Sequence, residues 1–181
     1  FVPFTDKKIS SPPPPLAQPA RLSRSGISYV YLASNKETAI AEIRPHPGHF
    51  ISVGRFHMNK KLKFADFRKI SIINFCESEE AMEYFIFLND LGKRFSLPIT
   101  PEERDNYLIT QFITEVIRQV GFDGVLFRSS VGKGYNVVIF DLENVEYLKG
   151  TGEVFEVEGL KYKIKQQKEE NFPDNVTHAV L

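Results

Sequence analysis

The chain has 181 residues, in which 23 lysines and arginines balance 23 aspartates and glutamates, so its formal net charge is zero. This balance argues against a protein that wraps duplex nucleic acid and against a polybasic membrane-surface module, because both need an excess of positive charge. The length suits one domain, and a single cysteine, Cys76, excludes an internal disulfide framework. No apolar run approaches the ~20 residues of a membrane-spanning helix, and we expect a cytoplasmic protein.

The N-terminal region contains a proline run. Residues 10–15 read Ser-Ser-Pro-Pro-Pro-Pro, which is typical of a stiff polyproline-II spacer. We therefore expect residues 1–15 to form a proline-rich extension, residues 16–164 to form the domain, and the polar residues 165–181 to form a tail. Within the domain, the pattern predicts a polar loop over 20–26, followed by a buried strand over 29–33.

A first helix is predicted directly after this strand. Residues 34–37 form a capping box in which Ser34 is the N-cap and Glu37 reaches back to it. The helix is expected to end near Arg44, because Pro45 disfavours helical backbone in the residue before it. Strands are then predicted over residues 50–58 and 62–67.

Two longer helices and a set of strands follow. Apolar periodicity predicts a helix over 77–91 that stops at Gly92, and a capping box at 100–103 starts another helix that Gly121 ends. The residues of this last helix that are predicted to face the core are Leu108, Phe112, Ile113, Val116, Ile117 and Val120. Strands are predicted over 124–128, 135–140, 145–149, 153–157 and 160–164, the last two as a pair. The fold class predicted is α+β, a compact mixed or antiparallel sheet with two or three helices.

Few general motifs of catalysis are present. The sequence has no G-x-G-x-x-G that opens a βαβ unit, no P-loop and no nucleophile elbow. His46, His49 and His57 lack nearby ligands at convincing spacing, so we expect no metal site. Arg21 lies in a polar loop before a buried strand, and Glu42 lies at the rim of an apolar helix face. Residues 127–134 form the end of a predicted strand and a loop rich in serine and glycine. Backbone N–H groups of this loop could hold an anion.

Taken together, the segments 20–27, 29–47, 120–130 and 134–140 resemble the RES domain, a family named for an arginine, a glutamate and a serine. The resemblance covers roughly residues 16–150 and implies a fold related to ADP-ribosyltransferase toxins. It also implies an enzyme that degrades NAD, often as the toxin of a toxin–antitoxin pair. The family residues fall on Arg21, Tyr31, Glu42, Ser129 with Ser130 as an adjacent alternative, and Asn136.

The resemblance gives each of these residues an expected role at the nicotinamide–ribose bond. Arg21 would bind the pyrophosphate in a bidentate manner, and Tyr31 would stack on the nicotinamide ring. Glu42 would stabilise the positive charge that develops on the ribose. Ser129 or Ser130 would orient the nicotinamide amide or a phosphate, and Asn136 would be among the residues that bind NAD. NAD is then the substrate, inorganic phosphate or water is the acceptor, an antitoxin protein is the expected partner, and no further cofactor is needed.

The chain departs from the family pattern at three positions. Ala20 and Ser23 stand where members commonly have Gly and Asn, and Arg128 stands where Pro often precedes the serine. Two functions therefore remain as alternatives to NAD phosphorolysis or hydrolysis. One is an ADP-ribosyltransferase that modifies a protein or a nucleic acid. The other is a catalytically silent module that binds partners through its polyproline segment and tail. We expect neither a membrane nor a nucleic acid as a binding partner of the enzyme.

Overall fold

The computed structural model describes residues 1–14, 16–97, 107–161 and 164. Its strands are β1 (Val30–Ala33), β2 (Phe50–Val53), β3 (Phe56–Met58), β4 (Phe64–Asp66), β5 (Gly124–Arg128), β6 (Tyr135–Ile139), β7 (Val145–Tyr147) and β8 (Glu153–Glu156). The helices are α1 (Lys36–Glu42), α2 (Glu79–Ser96) and α3 (Tyr107–Gln119). The predicted α+β class is confirmed. Within the described ranges, no helix combines the length and the apolarity needed to cross a bilayer.

A four-stranded mixed sheet organises the domain. Its strand order is β1-β6-β5-β4, with β6 antiparallel to both β1 and β5 and with β4 parallel to β5. Successive side chains of a strand point to opposite faces of the sheet. Val125, Phe127 and Val138 therefore pack on one face with Leu91 and Phe95 of α2, in the larger of two core clusters. The opposite face carries a smaller cluster of Val30, Val137 and Ile139.

Two small antiparallel sheets replace the single strand that was predicted over residues 50–58. β2 pairs with β8, and β3 pairs with β7. Gly54 separates β2 from β3 and lies so close to Tyr147 that a Cβ there would come within 2.6 Å of the ring. The predicted pairing of 153–157 with 160–164 is wrong, because β8 pairs with β2 instead. Residues 162 and 163 lie outside the described part of the chain, as do the predicted capping box at 100–103 and the tail at 165–181.

The predicted stop of the second helix at Gly92 is also wrong. α2 continues to Ser96, and Gly92 is buried inside it. A Cβ at Gly92 would lie 3.2 Å from the carbonyl oxygen of Phe67, just after β4. Glycine therefore permits close packing of α2 at this position and does not end the helix, whose N-cap is Ser78.

The orientation of α3 differs most from the prediction. Ile117 is buried, and Ile113 packs against the larger core cluster, as expected. However, four other residues of the predicted core face are exposed, namely Leu108, Phe112, Val116 and Val120. The side chains that α3 buries are largely polar, namely Thr110, Gln111 and Thr114. Hydrogen bonds to a neighbouring loop, described below, explain this inversion.

Candidate active site

A cleft of about 1070 Å³ lies beside β1 and α1, with further walls from β2 and from the N-terminal segment. Four of the predicted site residues line it, namely Arg21, Tyr31, Glu42 and Asn136. These residues come from a loop, a strand, a helix end and a second strand. The fold therefore brings together side chains that span more than a hundred positions of sequence.

The loop over residues 20–23 is held in place by α3. The Thr110 hydroxyl donates to the carbonyl oxygen of Arg21 at 2.6 Å. The Gln111 amide donates to the carbonyl oxygens of Ala20, at 2.9 Å, and Ser23, at 3.2 Å. Buried polar groups need such partners, which is why α3 turns a polar side inward. The loop backbone is thus fixed, and the Arg21 side chain reaches the cleft from it.

The Arg21 guanidinium is only partly satisfied by the protein. Its Nη1 donates to the carbonyl oxygen of Phe95, and its Cζ lies 5.8 Å from the centre of the Phe127 ring. The Nε is buried and has no hydrogen-bond partner among the described residues. A buried donor on a charged group is costly when it stays unpaired.

Tyr31 presents its ring to the cleft and anchors its hydroxyl elsewhere. Tyr31 as a residue is 42% exposed, while its hydroxyl forms a 3.1 Å hydrogen bond with the hydroxyl of Ser23. Burial raises the pKa of Tyr31 to about 12, against an opposing effect of the bond from Ser23. The side chain is therefore neutral at physiological pH, and it offers an aromatic surface to a ligand.

The Glu42 carboxylate is fixed to the sheet by one hydrogen bond. Glu42 is the last residue of α1, and the Asn136 Nδ2 donates to its Oε1 at 2.7 Å. Asn136 is 7% exposed and lies in the middle of the sheet, opposite Ala33 on β1 and Phe127 on β5. Asn136 was predicted to bind the substrate, and in the structure its amide orients the glutamate.

The N-terminus of α1 is joined to the loop between β5 and β6. The predicted N-cap Ser34 is wrong, because the Asn35 side chain accepts from the Thr38 N–H at 2.8 Å. The Ser34 Oγ instead accepts from the backbone N–H of Tyr135 at 3.1 Å. The Thr38 hydroxyl, fully buried, accepts from the Gly134 N–H at 3.0 Å. These contacts set the position of the helix that carries Glu42.

The glycine N–H groups that were expected to hold an anion have acceptors within the protein. The Gly132 N–H donates to Ser129 Oγ at 2.8 Å, and the Gly134 N–H donates to Thr38. The Ser129 hydroxyl also accepts from the Val131 N–H at 3.2 Å. The loop is thus closed on itself and on α1, as in a plain hairpin loop, and these two glycine N–H groups are engaged within the protein.

Ser129 lines a second groove, of about 550 Å³. The cationic residues of this groove are Arg68, Lys69, Arg128 and Lys133. The two grooves lie on opposite sides of β5, because Phe127 lines the cleft and the next residue, Arg128, lines the second groove. Ser130 is exposed in the same loop. The role that the resemblance implies for Ser129 or Ser130 stays a prediction.

Two residues that serve the site, Ser23 and Arg44, were given no role from the sequence. Ser23 supports Tyr31, and its signals in the sequence were its place in the same loop as Arg21 and the Asn that family members commonly have there. Arg44 lines the cleft, with a left-handed backbone at φ +49° that costs a non-glycine residue roughly 1–2 kcal/mol. The charged residues that line the cleft are Arg21, Lys36, Glu37, Glu42, Arg44, Arg55 and Glu153. The cleft thus carries charges of both signs, which suits a ligand with an anionic part and a cationic part.

The histidines do not assemble with other ligands. The Nδ1 of His49 accepts from the backbone N–H of His46 at 3.3 Å, and His57 lies 3.7 Å from a carboxylate oxygen of Glu146. Among residues 1–14, 16–97 and 107–161, no three side chains of His, Cys, Asp or Glu converge as a metal site would require.

The comparison with family models finds the same family that these segments of the sequence resemble. The model of the RES domain matches residues 2–152, a span that includes the proline run and all the site residues discussed above. Neither the curated proteins nor the solved structures give a match. Because the family model covers most of the chain, this protein belongs to the RES domain family.

Proposed function

We propose that this protein cleaves NAD at the bond between nicotinamide and ribose, with inorganic phosphate or water as the acceptor. The observation that carries the proposal is the convergence of Arg21, Tyr31 and Glu42 on one cleft, with Glu42 oriented by Asn136. Membership of the RES family supports it. The volume of the cleft, about 1070 Å³, is sufficient for a dinucleotide.

The charge distribution of NAD fits the residues of the cleft. The pyrophosphate is anionic, and a guanidinium with a spare donor can bind it more specifically than an ammonium can. Arg21 lines the cleft, and among the described residues only its Nη1 has a hydrogen-bond acceptor. The nicotinamide ring is cationic, so an aromatic face such as that of Tyr31 attracts it.

The reaction itself requires stabilisation of a positive charge on the ribose. When the bond between C1′ and the nicotinamide nitrogen breaks, its electron pair leaves with the nicotinamide, which becomes neutral. The ribose then resembles the oxocarbenium ion of glycoside cleavage. A carboxylate that is already oriented stabilises this ion without further reorganisation, and Asn136 holds Glu42 for that purpose.

The acceptor then forms a bond to C1′ through one of its oxygens. Phosphate would give ADP-ribose 1″-phosphate, whereas water would lose one proton to the solvent and give ADP-ribose. Arg44 and Arg55 line the same cleft and favour the anionic acceptor. Loss of NAD would arrest a cell, so we propose that the protein acts as a toxin that an antitoxin protein neutralises.

Product analysis tests the proposal directly. The purified protein is incubated with NAD in the presence and absence of inorganic phosphate, and the products are separated by chromatography and identified by mass. We expect nicotinamide in both cases, with ADP-ribose phosphate when phosphate is present. An ADP-ribose mass gain on a macromolecule would select ADP-ribosyl transfer instead. The absence of NAD binding by calorimetry would select a silent interaction module.

The glutamate provides the most direct test of the mechanism. Glu42→Gln keeps the shape of the side chain and removes its charge, so we expect nicotinamide release to fall by about 10²–10³-fold while NAD still binds. Glu83→Gln is the matched control, because Glu83 is exposed on α2 and does not line the cleft. Full activity of Glu42→Gln would contradict the role assigned to the carboxylate.

A further inference from the structure

The second groove concentrates positive charge in a chain whose net charge is zero. Its charged residues are one carboxylate, Asp66, and four cations, namely Arg68, Lys69, Arg128 and Lys133. Both oxygens of Asp66 are already bound, because Oδ1 accepts from the Arg68 Nε at 2.9 Å and Oδ2 accepts from its Nη2 at 2.6 Å. The other three cations form no salt bridge with any described residue. The groove therefore holds an excess of positive charge that this part of the chain does not neutralise.

The two arginines are oriented by the protein itself. Asp66 holds one edge of the Arg68 guanidinium, whose Cζ also lies 4.4 Å from the centre of the Tyr135 ring. Arg128 stands opposite Tyr135 in the pairing of β5 with β6, and its Nε donates to the carbonyl oxygen of Arg68. The terminal nitrogens of Arg128 have no acceptor among the described residues. They form the edge of a guanidinium that can bind an oxyanion through two parallel hydrogen bonds.

The lysine of the loop after β5 has a fixed backbone. Lys133 lies between Gly132 and Gly134, and the N–H groups of both glycines donate to side chains of the protein. A Cβ at Gly132 would lie 2.7 Å from Thr38 Oγ1, so the loop packs closely against α1. Cations that are held near one another repel, and a bound anion relieves this repulsion. The groove therefore favours a ligand that carries more than one negative charge.

Size and charge density indicate the class of this ligand. A volume of about 550 Å³ suits a small molecule. One carboxylate brings a single negative charge, and several carboxylates in this volume would repel one another. A phosphate monoester carries about 1.5–2 negative charges at pH 7 and presents three acceptor oxygens from a single group. A phosphate group therefore neutralises the excess charge of the groove better than the acidic side chains of a peptide do.

A nucleic acid fits the groove less well than a small phosphate does. Proteins that hold single strands stack the bases on exposed aromatic rings. Tyr135 is the aromatic residue among those that line the groove, and the guanidinium of Arg68 lies over its ring. We propose that the second groove binds the phosphate group of a small ligand, either inorganic phosphate or a phosphate monoester.

This site is separate from the cleft in which we place NAD. No described residue lines both, and Phe127 and Arg128 point to opposite sides of β5. A phosphate bound in the second groove is therefore distinct from the acceptor of the proposed reaction. The proposal stands whether or not the protein cleaves NAD.

Nuclear magnetic resonance of the full chain tests the proposal at each site separately. The isotope-labelled protein, free of NAD, is titrated with inorganic phosphate and separately with glycerol 3-phosphate, at an ionic strength held constant with sodium chloride. We expect the amide signals of Lys69, Gly132 and Lys133 to shift until they saturate. Signals of Ala39 and Ile40 report binding in the cleft, because these residues line it. Tighter binding of glycerol 3-phosphate would identify a phosphate monoester as the ligand, whereas equal or tighter binding of inorganic phosphate would identify the free ion.

Substitutions in the groove provide the second part of the test. Arg128→Lys keeps the charge and removes the paired donors, so we expect the affinity of the groove for phosphate to fall by about tenfold. Lys133→Gln removes one charge from an exposed side chain and should weaken binding while the protein stays folded. Lys93→Gln is the matched control, because Lys93 is exposed on α2 and lines neither the cleft nor the second groove. It should bind phosphate as the wild type does.

The proposal is overturned if phosphate leaves the groove signals unmoved, or if sodium chloride alone moves them equally. It is also overturned if both groove variants bind phosphate with the affinity of the wild type. If a glutamate-rich peptide moves these signals and phosphate does not, the groove binds an acidic segment of another protein instead.

Discussion

Asn136 donates its amide proton to Glu42 from a buried position in the central sheet, and this contact defines the asparagine as a positioning residue. Glu42 is the last residue of a seven-residue helix, a place where side chains are usually poorly restrained. Hydrogen bonds to charged groups contribute about 1.5–3 kcal/mol. The bond therefore keeps the carboxylate in one orientation before any ligand binds.

The hydroxyl of Tyr31 provides a test at the level of one residue. Burial raises the pKa of Tyr31 from 10.0 to about 12. As the pH rises, the unfolded chain therefore loses this proton first, so the associated stability is complete below pH 10 and is lost as the pH rises towards 12. Tyr31→Phe removes this dependence. We expect the wild type to lose more stability than the variant between pH 9 and pH 11.5.

Urea midpoints of the two proteins at several pH values measure this difference. Tyr29, whose pKa burial also raises, is present in both proteins, so the comparison isolates Tyr31 together with its Coulombic interaction with Tyr29. If the difference between the midpoints is the same at pH 9 and at pH 11.5, Tyr31 ionises in the folded protein as it does in the unfolded chain.

At the scale of elements, local patterns predicted strands and short helices well. Strand β5 has the predicted bounds of 124–128, because its apolar run is bounded by glycines and turn residues. The sequence pattern gave wrong element boundaries where contacts between residues distant in sequence determine the structure. Gly92 continues α2 because Phe67 packs against it, and the predicted strand over 50–58 divides at Gly54 because Tyr147 lies there. Neither neighbour can be inferred from the residues close by in sequence.

In the candidate site, too, some residues were found from the sequence, whereas features that depend on long-range contacts were not. The family resemblance located Arg21, Tyr31 and Glu42, and these three residues line one cleft. It did not show that α3 would bury threonine and glutamine, since those side chains are buried in order to hold the Arg21 loop. Nor did it indicate Arg44, whose left-handed backbone follows from the way the chain leaves α1. Local sequence does not encode such tertiary requirements.

The junction between α1 and the loop after β5 can be tested at Gly134. A Cβ there would lie 2.3 Å from Ser34 Oγ, 2.6 Å from Thr38 Oγ1 and 2.7 Å from Asn35 Nδ2. Gly134→Ala should therefore displace the start of α1, lower the stability by about 1–3 kcal/mol and reduce nicotinamide release. Urea unfolding and product analysis provide the two readouts.

Gly159→Ala is the matched control, because nothing lies within 4 Å of a Cβ at that position. The control should equal the wild type in both measurements. If Gly134→Ala has the stability and the activity of the wild type, the contacts between the loop after β5 and α1 do not set the position of α1.

At the scale of the whole molecule, the N-terminal segment contributes to the wall of the cleft. Ile9, Ser10 and Ser11 line it. The Ser11 hydroxyl donates to the carbonyl oxygen of Tyr29 at 2.8 Å, and the Ser28 hydroxyl donates to that of Pro12 at 2.6 Å. These two bonds join the proline run to the residues just before β1.

Truncation measures this contribution. Removal of residues 1–13 eliminates both hydrogen bonds and one wall of the cleft, so we expect a loss of about 1–3 kcal/mol in stability and weaker NAD binding. Calorimetry with NAD on the Glu42→Gln background separates binding from turnover. Removal of residues 1–5 leaves both bonds in place and should preserve the affinity. If the two truncated proteins bind NAD with equal affinity, residues 6–13 are not needed for NAD binding.

Strand β5 places Phe127 in the wall of the cleft and Arg128 in the wall of the second groove. Because neighbouring residues of a strand face opposite ways, the insertion or deletion of one residue in β5 would exchange the two walls. The guanidinium would then point to where the aromatic ring of Phe127 now packs, and a single insertion or deletion would alter both grooves. A substitution in β5 therefore alters one wall at a time, whereas a change in the length of β5 alters both.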